Sequence, residues 1–175
     1  MFSILPATGV HLTLVETLLD QRFGPARRNR TAYRLRDGVQ PLAHLSFVAM
    51  AGDTLVGSVQ CWPLRLKPLF GARLPLILLG PMAVARSCEG QGIASALMRC
   101  SLAAIDAAAE PPVLLIGDAP FYGRFGFSAA ATRLWSLPGP VDHARLLLRG
   151  PSTGLPRVGA VEAASGNSAR AAKVA

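Results

Sequence analysis

The 175-residue chain lacks the means to build a metal centre or a disulfide framework. Its three cysteines, Cys61, Cys88 and Cys100, form no CxxC pair, and His11, His44 and His143 lie far from one another and from those thiols. Metal-ligand spacing is missing, so no metal is expected. An odd number of thiols without a framework fits a reducing compartment, and the expected location is the cytoplasm. Long apolar runs are missing as well. The longest, Leu74 to Ala85 ("LPLILLGPMAVA"), spans 12 residues and is interrupted by Gly80-Pro81, against roughly 20 for a membrane-spanning helix. The first segment, "MFSILPATGVHLTLVETLLD", has no basic start and carries Pro6, His11 and Glu16 where a secretory peptide is apolar. Neither a membrane partner nor a signal peptide is expected, and no internal repeat is found.

What the chain does have is core material, with 51% hydrophobic residues, and a net charge of +8. The length suits one domain, expected over residues 1–158. The stretch 159–175 is rich in small residues and is expected to be a loosely held tail. The charge is uneven. Arg22, Arg27, Arg28, Arg30, Arg34 and Arg36 follow one another with no acid among them. Such a cluster is either a solvated basic face or an anion site for a cofactor phosphate, an acidic acceptor or an acidic carrier protein. Nucleic acid is not expected, because Tyr33 is the one stacking aromatic interleaved with these arginines and no recognition motif accompanies them.

Periodicity predicts a short strand over 2–5 and a helix through Leu14, Val15, Leu18 and Leu19, started by Thr8 or Thr13 and ended by Gly24-Pro25. A basic helix follows over 29–36. A meander of strands over 45–51, 54–66 and 72–85 comes next. Proline cannot donate to a ladder and mid-strand glycine marks a bulge, so the third of these should break at Gly80-Pro81 and open a gap beside it. The clearest helix is 93–109, with Ile93, Ala96, Leu97, Cys100, Ala104, Ala107 and Ala108 expected on its buried face. Val113 to Ile116 is a buried strand, and shorter strands are expected at 133–137 and 145–149.

Two stretches carry chemistry. In "SCEGQGIASALMRC", Gly90-Gln91-Gly92-Ile93-Ala94 opens the long helix. Free N–H groups and the helix dipole there make an anion site, and Gly92 lets an oxygen approach the backbone. A plain helix start with flexible residues explains the same glycines equally well. A dinucleotide fingerprint is a rival, with Asp118 as the acidic ribose ligand. However, the segment between Val84 and Gly90 is too long for a direct strand-to-helix turn, and no full crossover follows Asp118. The second stretch is "GDAPFYGRFGF", residues 117–127.

With "LGPMAV" before the glycine turn and "GDAPFYGRFGF" after it, the chain resembles the GNAT acetyltransferase superfamily, most closely a bacterial branch of small predicted N-acetyltransferases. The sharp motifs lie within 79–127. The resemblance implies an α/β fold of the mixed α+β kind, with a central, mostly antiparallel twisted sheet split between the fourth and fifth strands and flanked by helices. It implies an acetyl-CoA-dependent N-acetyltransferase acting on the amine of a small molecule or peptide. Glu89 to Ala94, with Ser95, would hold the pyrophosphate. Met82, Ala83 and Val84 would line the pantetheine arm, and Tyr122 of Y-x-x-x-G-F would protonate the departing thiolate. Glu89 departs from the family's Gln or Arg. It must point away from the diphosphate or weaken its binding.

Asp118 is the acid nearest Tyr122 in sequence. It reads either as a general base or as a helix N-cap before Ala-Pro, and the cap is favoured. For Tyr122 the competing reading is a core aromatic beside Phe121, Phe125 and Phe127. Two other functions stay open: transfer of longer acyl groups from CoA or an acyl carrier protein, suggested by the arginines, and a CoA-sensing module without turnover, suggested by Glu89 and the missing base. A homodimer is compatible with the sequence, which does not choose an acceptor.

Overall fold

The computed structural model describes residues 1–164. Alternating apolar residues form β1 (Ser3–Pro6), β2 (Phe47–Ala51), β3 (Thr54–Pro68) and β4 (Leu74–Val84), each antiparallel to the next. After a long helix, β5 (Val113–Ile116) lies parallel to β4, and β7 (Leu146–Arg149) pairs antiparallel with β5. The sheet runs β1-β2-β3-β4-β5-β7. This is the mostly antiparallel sheet expected from the resemblance. Its split lies between the fourth and fifth strands, which pair only at Ile77–Val113 and Leu78–Leu114.

Helices cover both faces. Helix α1 (Leu12–Phe23) buries Val15, Leu18 and Leu19 against Val48 and Ala83. Helix α3 (Ile93–Ala107) packs on the opposite face, against Val59, Cys61 and Leu79. Its buried residues are Ile93, Leu97, Met98, Ser101, Leu102 and Ile105. Ile93 and Leu97 were expected there. Ala96, Cys100 and Ala104 are flanks, while Ala107 and Ala108 are exposed. The helix turns so that its large side chains go inward, because burial free energy grows with the apolar area removed from water. The one buried hydroxyl, on Ser101, donates to the Leu45 carbonyl at 2.9 Å.

The basic segment is less regular than its pattern predicts. A 3-10 turn at Pro25–Asn29 precedes a single helical turn, α2 (Thr31–Arg34), and the extended Arg30 separates them. Strand β8 (Val158–Ala163) pairs with β3 across Leu64–Pro68 and runs parallel to β6 (Leu134–Ser136). Paired structure therefore continues past the boundary drawn at 158. The second half of β3 outruns β2 and leaves an open edge, which β8 fills. Residues 165–175 of the expected tail lie outside the described residues.

Candidate active site

The gap begins at a bulge. Val59 stands opposite Met82 and Cys61 opposite Leu79. Gln60 of β3 therefore faces two residues of β4, Gly80 and Pro81, and the extra residue pushes β4 outward. Gly80 has φ of 133°, a conformation that L side chains rarely adopt. Beyond the bulge β4 has β3 on one side and no strand on the other. The Ala85 N–H donates to the Val56 carbonyl at 2.8 Å, which makes that a hydrogen-bonded pair of the ladder. By alternation, Met82 and Val84 occupy non-hydrogen-bonded pairs, and their N–H and C=O groups point away from β3 into the gap. Ala83 differs. Its backbone is turned toward Ser58 of β3, and its side chain is buried against α1.

The gap opens into a cleft of about 880 Å³. At one end stands the turn into α3. Gly92, the N-cap, has φ of 78° and offers no side chain, and the first bond of the helix is Ala96 N–H to Gly92 carbonyl at 3.0 Å. The N–H groups of Ile93, Ala94 and Ser95 are thus the orphan donors of a helix start, and none is capped among the described residues. A Cβ at Gly90 or Gly92 would meet nothing within 4 Å, so the space over the turn is open. Gln91 is exposed, its amide only 3.4 Å from the Ser87 carbonyl. Ile93 buries its side chain beneath the turn, and Ala94 lines the cleft. Glu89 is held aside by Arg22, with Nη2 to Oε1 at 2.6 Å. The carboxylate that departs from the family pattern has its own counter-charge.

Across the gap, β5 leads through Gly117 into a single helical turn, α4 (Ala119–Tyr122), where Pro120 fits because the first turn needs no N–H donor. Gly126, with φ of 84°, ends the following turn, and Phe127 is buried in the α3-side core. Tyr122 touches Phe121 and Phe127 edge-on, with centroids 4.9 and 6.2 Å away, and its Cδ2–Cε2 side lies against Gly117. It therefore has the aromatic neighbours of a core residue, but it also lines the cleft, and its hydroxyl has no hydrogen-bond partner among the described residues. Burial pushes its pKa above the usual 10; Arg145 opposes this and Asp118 adds to it. Asp118 occupies the N-cap position, yet its carboxylate caps nothing. Its backbone carbonyl accepts from Phe121 and Tyr122, at 3.1 and 3.0 Å. The carboxylate side chain belongs to the same cleft.

Two members of the arginine cluster, Arg27 and Arg36, are buried, while Arg28, Arg30 and Arg34 stay exposed. Arg27 is 1% exposed and reaches Glu16 at 2.6 Å and Asp20 at 2.7 Å, with the Tyr33 hydroxyl as a further partner. Arg28 pairs with the same two acids. The acids come from α1 just upstream, where the i, i+4 spacing of Glu16 and Asp20 was the available signal. Sequence reasoning named Arg36 only within the basic run, Tyr33 only as its interleaved aromatic and Arg145 only within a strand, and all three line the cleft. Among the described residues no group of three or more His, Cys, Asp or Glu could hold a metal, and no helix is long and apolar enough to cross a membrane.

Residues 7–130 match the family model described as an acetyltransferase (GNAT) domain. Among solved structures, the chain is similar to the GNAT family N-acetyltransferase YhbS from Escherichia coli, in complex with CoA. The identity is 23% and the TM-score 0.74, over 93% of this chain and 89% of that one. It is also similar to a GNAT family acetyltransferase from Brucella melitensis in complex with acetyl-CoA, at 20% identity and TM-score 0.57 over 87% and 98% of the two chains. Arabidopsis thaliana Naa50, in complex with the bisubstrate analogue CoA-Ac-MVNAL, matches at 20% identity and TM-score 0.53 over 84% and 96%. No curated protein matches the chain.

Proposed function

Because the chain belongs to the GNAT acetyltransferase family, we propose that it is an acetyl-CoA-dependent N-acetyltransferase acting on the amine of a small molecule or peptide. The observation that carries this reading is the run of unpaired backbone donors along one path. The Met82 and Val84 N–H groups face the gap, and the amides of Ile93, Ala94 and Ser95 stand uncapped at the turn beyond it. That spacing of donors suits a pantetheine arm followed by a diphosphate. The CoA or acetyl-CoA in the E. coli and B. melitensis structures agrees with it.

In the proposed reaction a neutral amine attacks the thioester carbonyl carbon; a C–N bond forms and the C–S bond breaks. The Val84 or Met82 N–H steadies the oxyanion, a contribution worth about 10²–10³ in rate for a preorganised donor. Tyr122 keeps its proton at neutral pH and gives it to the leaving thiolate. Asp118, its carboxylate free of any capping bond, takes the proton from the amine, directly or through water. Gly90, Gln91 and Gly92 keep the turn open, while Arg22 holds Glu89 out of the diphosphate's field. The free thiols of Cys61, Cys88 and Cys100 agree with a cytoplasmic setting.

The test is an amine screen with acetyl-CoA, following thiol release, with coenzyme binding measured separately by calorimetry. Tyr122→Phe should lower kcat about 10²-fold, the size of a lost general acid, with little change in the Kd for CoA. Unchanged kcat would remove Tyr122 from the chemistry, and failure to bind CoA would end the reading. Longer acyl donors on a carrier protein lose part of their motive, since Arg27 and Arg28 are satisfied by Glu16 and Asp20, while Arg30 and Arg34 stay exposed. The CoA-sensing reading loses one of its two, since Glu89 is neutralised by Arg22.

A further inference from the structure

Among the described residues no acid is bonded to Arg36, the buried one of the cleft's unpaired arginines. Arg36 is only 8% exposed, and its Nε and Nη2 are buried without a hydrogen-bond partner among the described residues. Its guanidinium lies 3.4 Å from the Tyr33 ring centroid and 5.1 Å from that of Trp62. Glu16 is close enough to influence it, but bonds Arg27 and Arg28 instead. Burial brings the pKa of Arg36 down to about 10, so the group is still charged at neutral pH. A buried charge and buried N–H donors left unpaired are costly, and native proteins rarely keep them without use. On the face of β3 that carries Trp62, the Ser58 hydroxyl, the Gln60 amide oxygen and the Trp62 indole N–H are also buried and unpartnered among the described residues. The alternation of the strand puts these three on one side.

That side is the one opposite α3. Trp62 packs with Leu64, Leu66 and Leu78, whereas α3 packs on Val59 and Cys61. Arg36 therefore addresses the gap from the face away from the helix start, where an acceptor would enter if the helix start holds the diphosphate. Tyr33 lies against the guanidinium, which leaves its N–H edge for a ligand; Nε and Nη2 are covered in this structure, so a ligand reaches them by displacing what covers them. Such an edge matches the two oxygens of a carboxylate.

We propose that the acceptor amine carries a carboxylate and that Arg36, stacked on Tyr33 and Trp62, is the residue that selects it. The substrate class is then an amino acid or another amine with a free carboxylate. This rests on the N-acetyltransferase reading and deepens it. Arg30 and Arg145 also line the cleft and keep that half electropositive, although Asp118 and Asp142 are present. The Asp142 carboxylate is engaged by the Ala144 N–H at 2.9 Å.

The experiment uses the full chain, acetyl-CoA and a panel of amino acids paired with their carboxamides. Thiol release gives kcat/KM, and a thermal-shift titration of each member into the CoA complex gives binding that does not depend on turnover. Calorimetry with CoA alone is the control for the underlying reading. The wild type should prefer the acid to its carboxamide by about 100-fold, as expected where a buried donor site would be left unpaired. Arg36→Met should erase that preference while CoA binds as before, and Arg36→Lys should keep part of it. Melting curves identify a variant that has failed to fold, and Arg36→Lys then carries the test. Equal handling of acid and carboxamide by wild type, in both turnover and binding, would overturn the proposal. So would a preference that survives Arg36→Met, or a tenfold loss of CoA affinity in that variant, which would make Arg36 a coenzyme-phosphate ligand. Absence of CoA binding by the wild type would instead sink the reading beneath it.

Discussion

Gly117→Ala tests how Tyr122 is held. A Cβ built on Gly117 would lie 2.1 Å from Tyr122 Cε2 and 2.6 Å from Cδ2, while ordinary contact begins near 3.4 Å. The ring must retreat by about 1.3 Å, the difference between those distances. It cannot do so freely, because Phe121 and Phe127 already touch it edge-on. Gly117 is not among the residues with positive φ, so alanine would otherwise gain about 0.4–1 kcal/mol from the unfolded state. Overpacking should outweigh that and cost about 1–3 kcal/mol, a fall in Tm of roughly 2–4 °C per kcal/mol at this size. The decisive assay is a double-mutant cycle by thermal or urea unfolding. Tyr122→Ala removes the ring, and in that background Gly117→Ala should cost nothing or stabilise slightly. The Leu115 methyl at 3.0 Å can rotate away. An identical cost in both backgrounds would refute the argument that the ring and the glycine are in register. In the amine assay, displacement of the hydroxyl by about 1 Å should lower kcat near 100-fold.

The remaining expectations concern charge and protonation. Arg22→Ala should free the Glu89 carboxylate and weaken CoA binding about fivefold, the equivalent of one surface charge contact of about 1 kcal/mol. Adding Glu89→Gln should restore it, and calorimetry that shows no recovery would break the link between the pair and the turn. Burial raises the Tyr122 pKa above 10, so its donating form persists through neutral pH and is lost only above 10. The profile of kcat against pH should show no descending limb below about pH 10 that disappears in Tyr122→Phe. Cys61 is fully buried, and its thiol is pushed up to about 12 by that burial, with Ser101 opposing. A disulfide reagent at pH 8 should titrate Cys88 and Cys100 in the folded protein and reach Cys61 only after denaturation; fast reaction of all three would contradict the packing.

The half of the cleft proposed to hold the coenzyme was legible as geometry in the sequence because it is built from contiguous backbone. Gly80-Pro81 announces the bulge, and Gly90 to Ala94 announce the helix start. One short stretch thus contains both the gap and the uncapped helix start. Side chains were harder to read where distant strands decide their place. Strand β8, "VGAVEA", is made of small residues with little propensity, and it forms because the second half of β3 presents an open edge. The alanine-rich helix misled the expected face, since Leu102 and Ile105 outweigh the alanines once a core is there to receive them. The half proposed for the acceptor is least legible of all. Arg36 looked like one more member of a basic run, and its neighbours in sequence do not distinguish it. What sets it apart is Trp62, which comes from a different strand, and the diversion of Glu16 to Arg27 and Arg28. Spacing along the chain cannot show which arginine of a cluster is left without its acid, because that is decided by tertiary competition for two carboxylates. The same competition leaves Arg30, Arg34 and Arg36 without a bonded acid among the described residues, and of these three only Arg36 is buried, at the cleft wall.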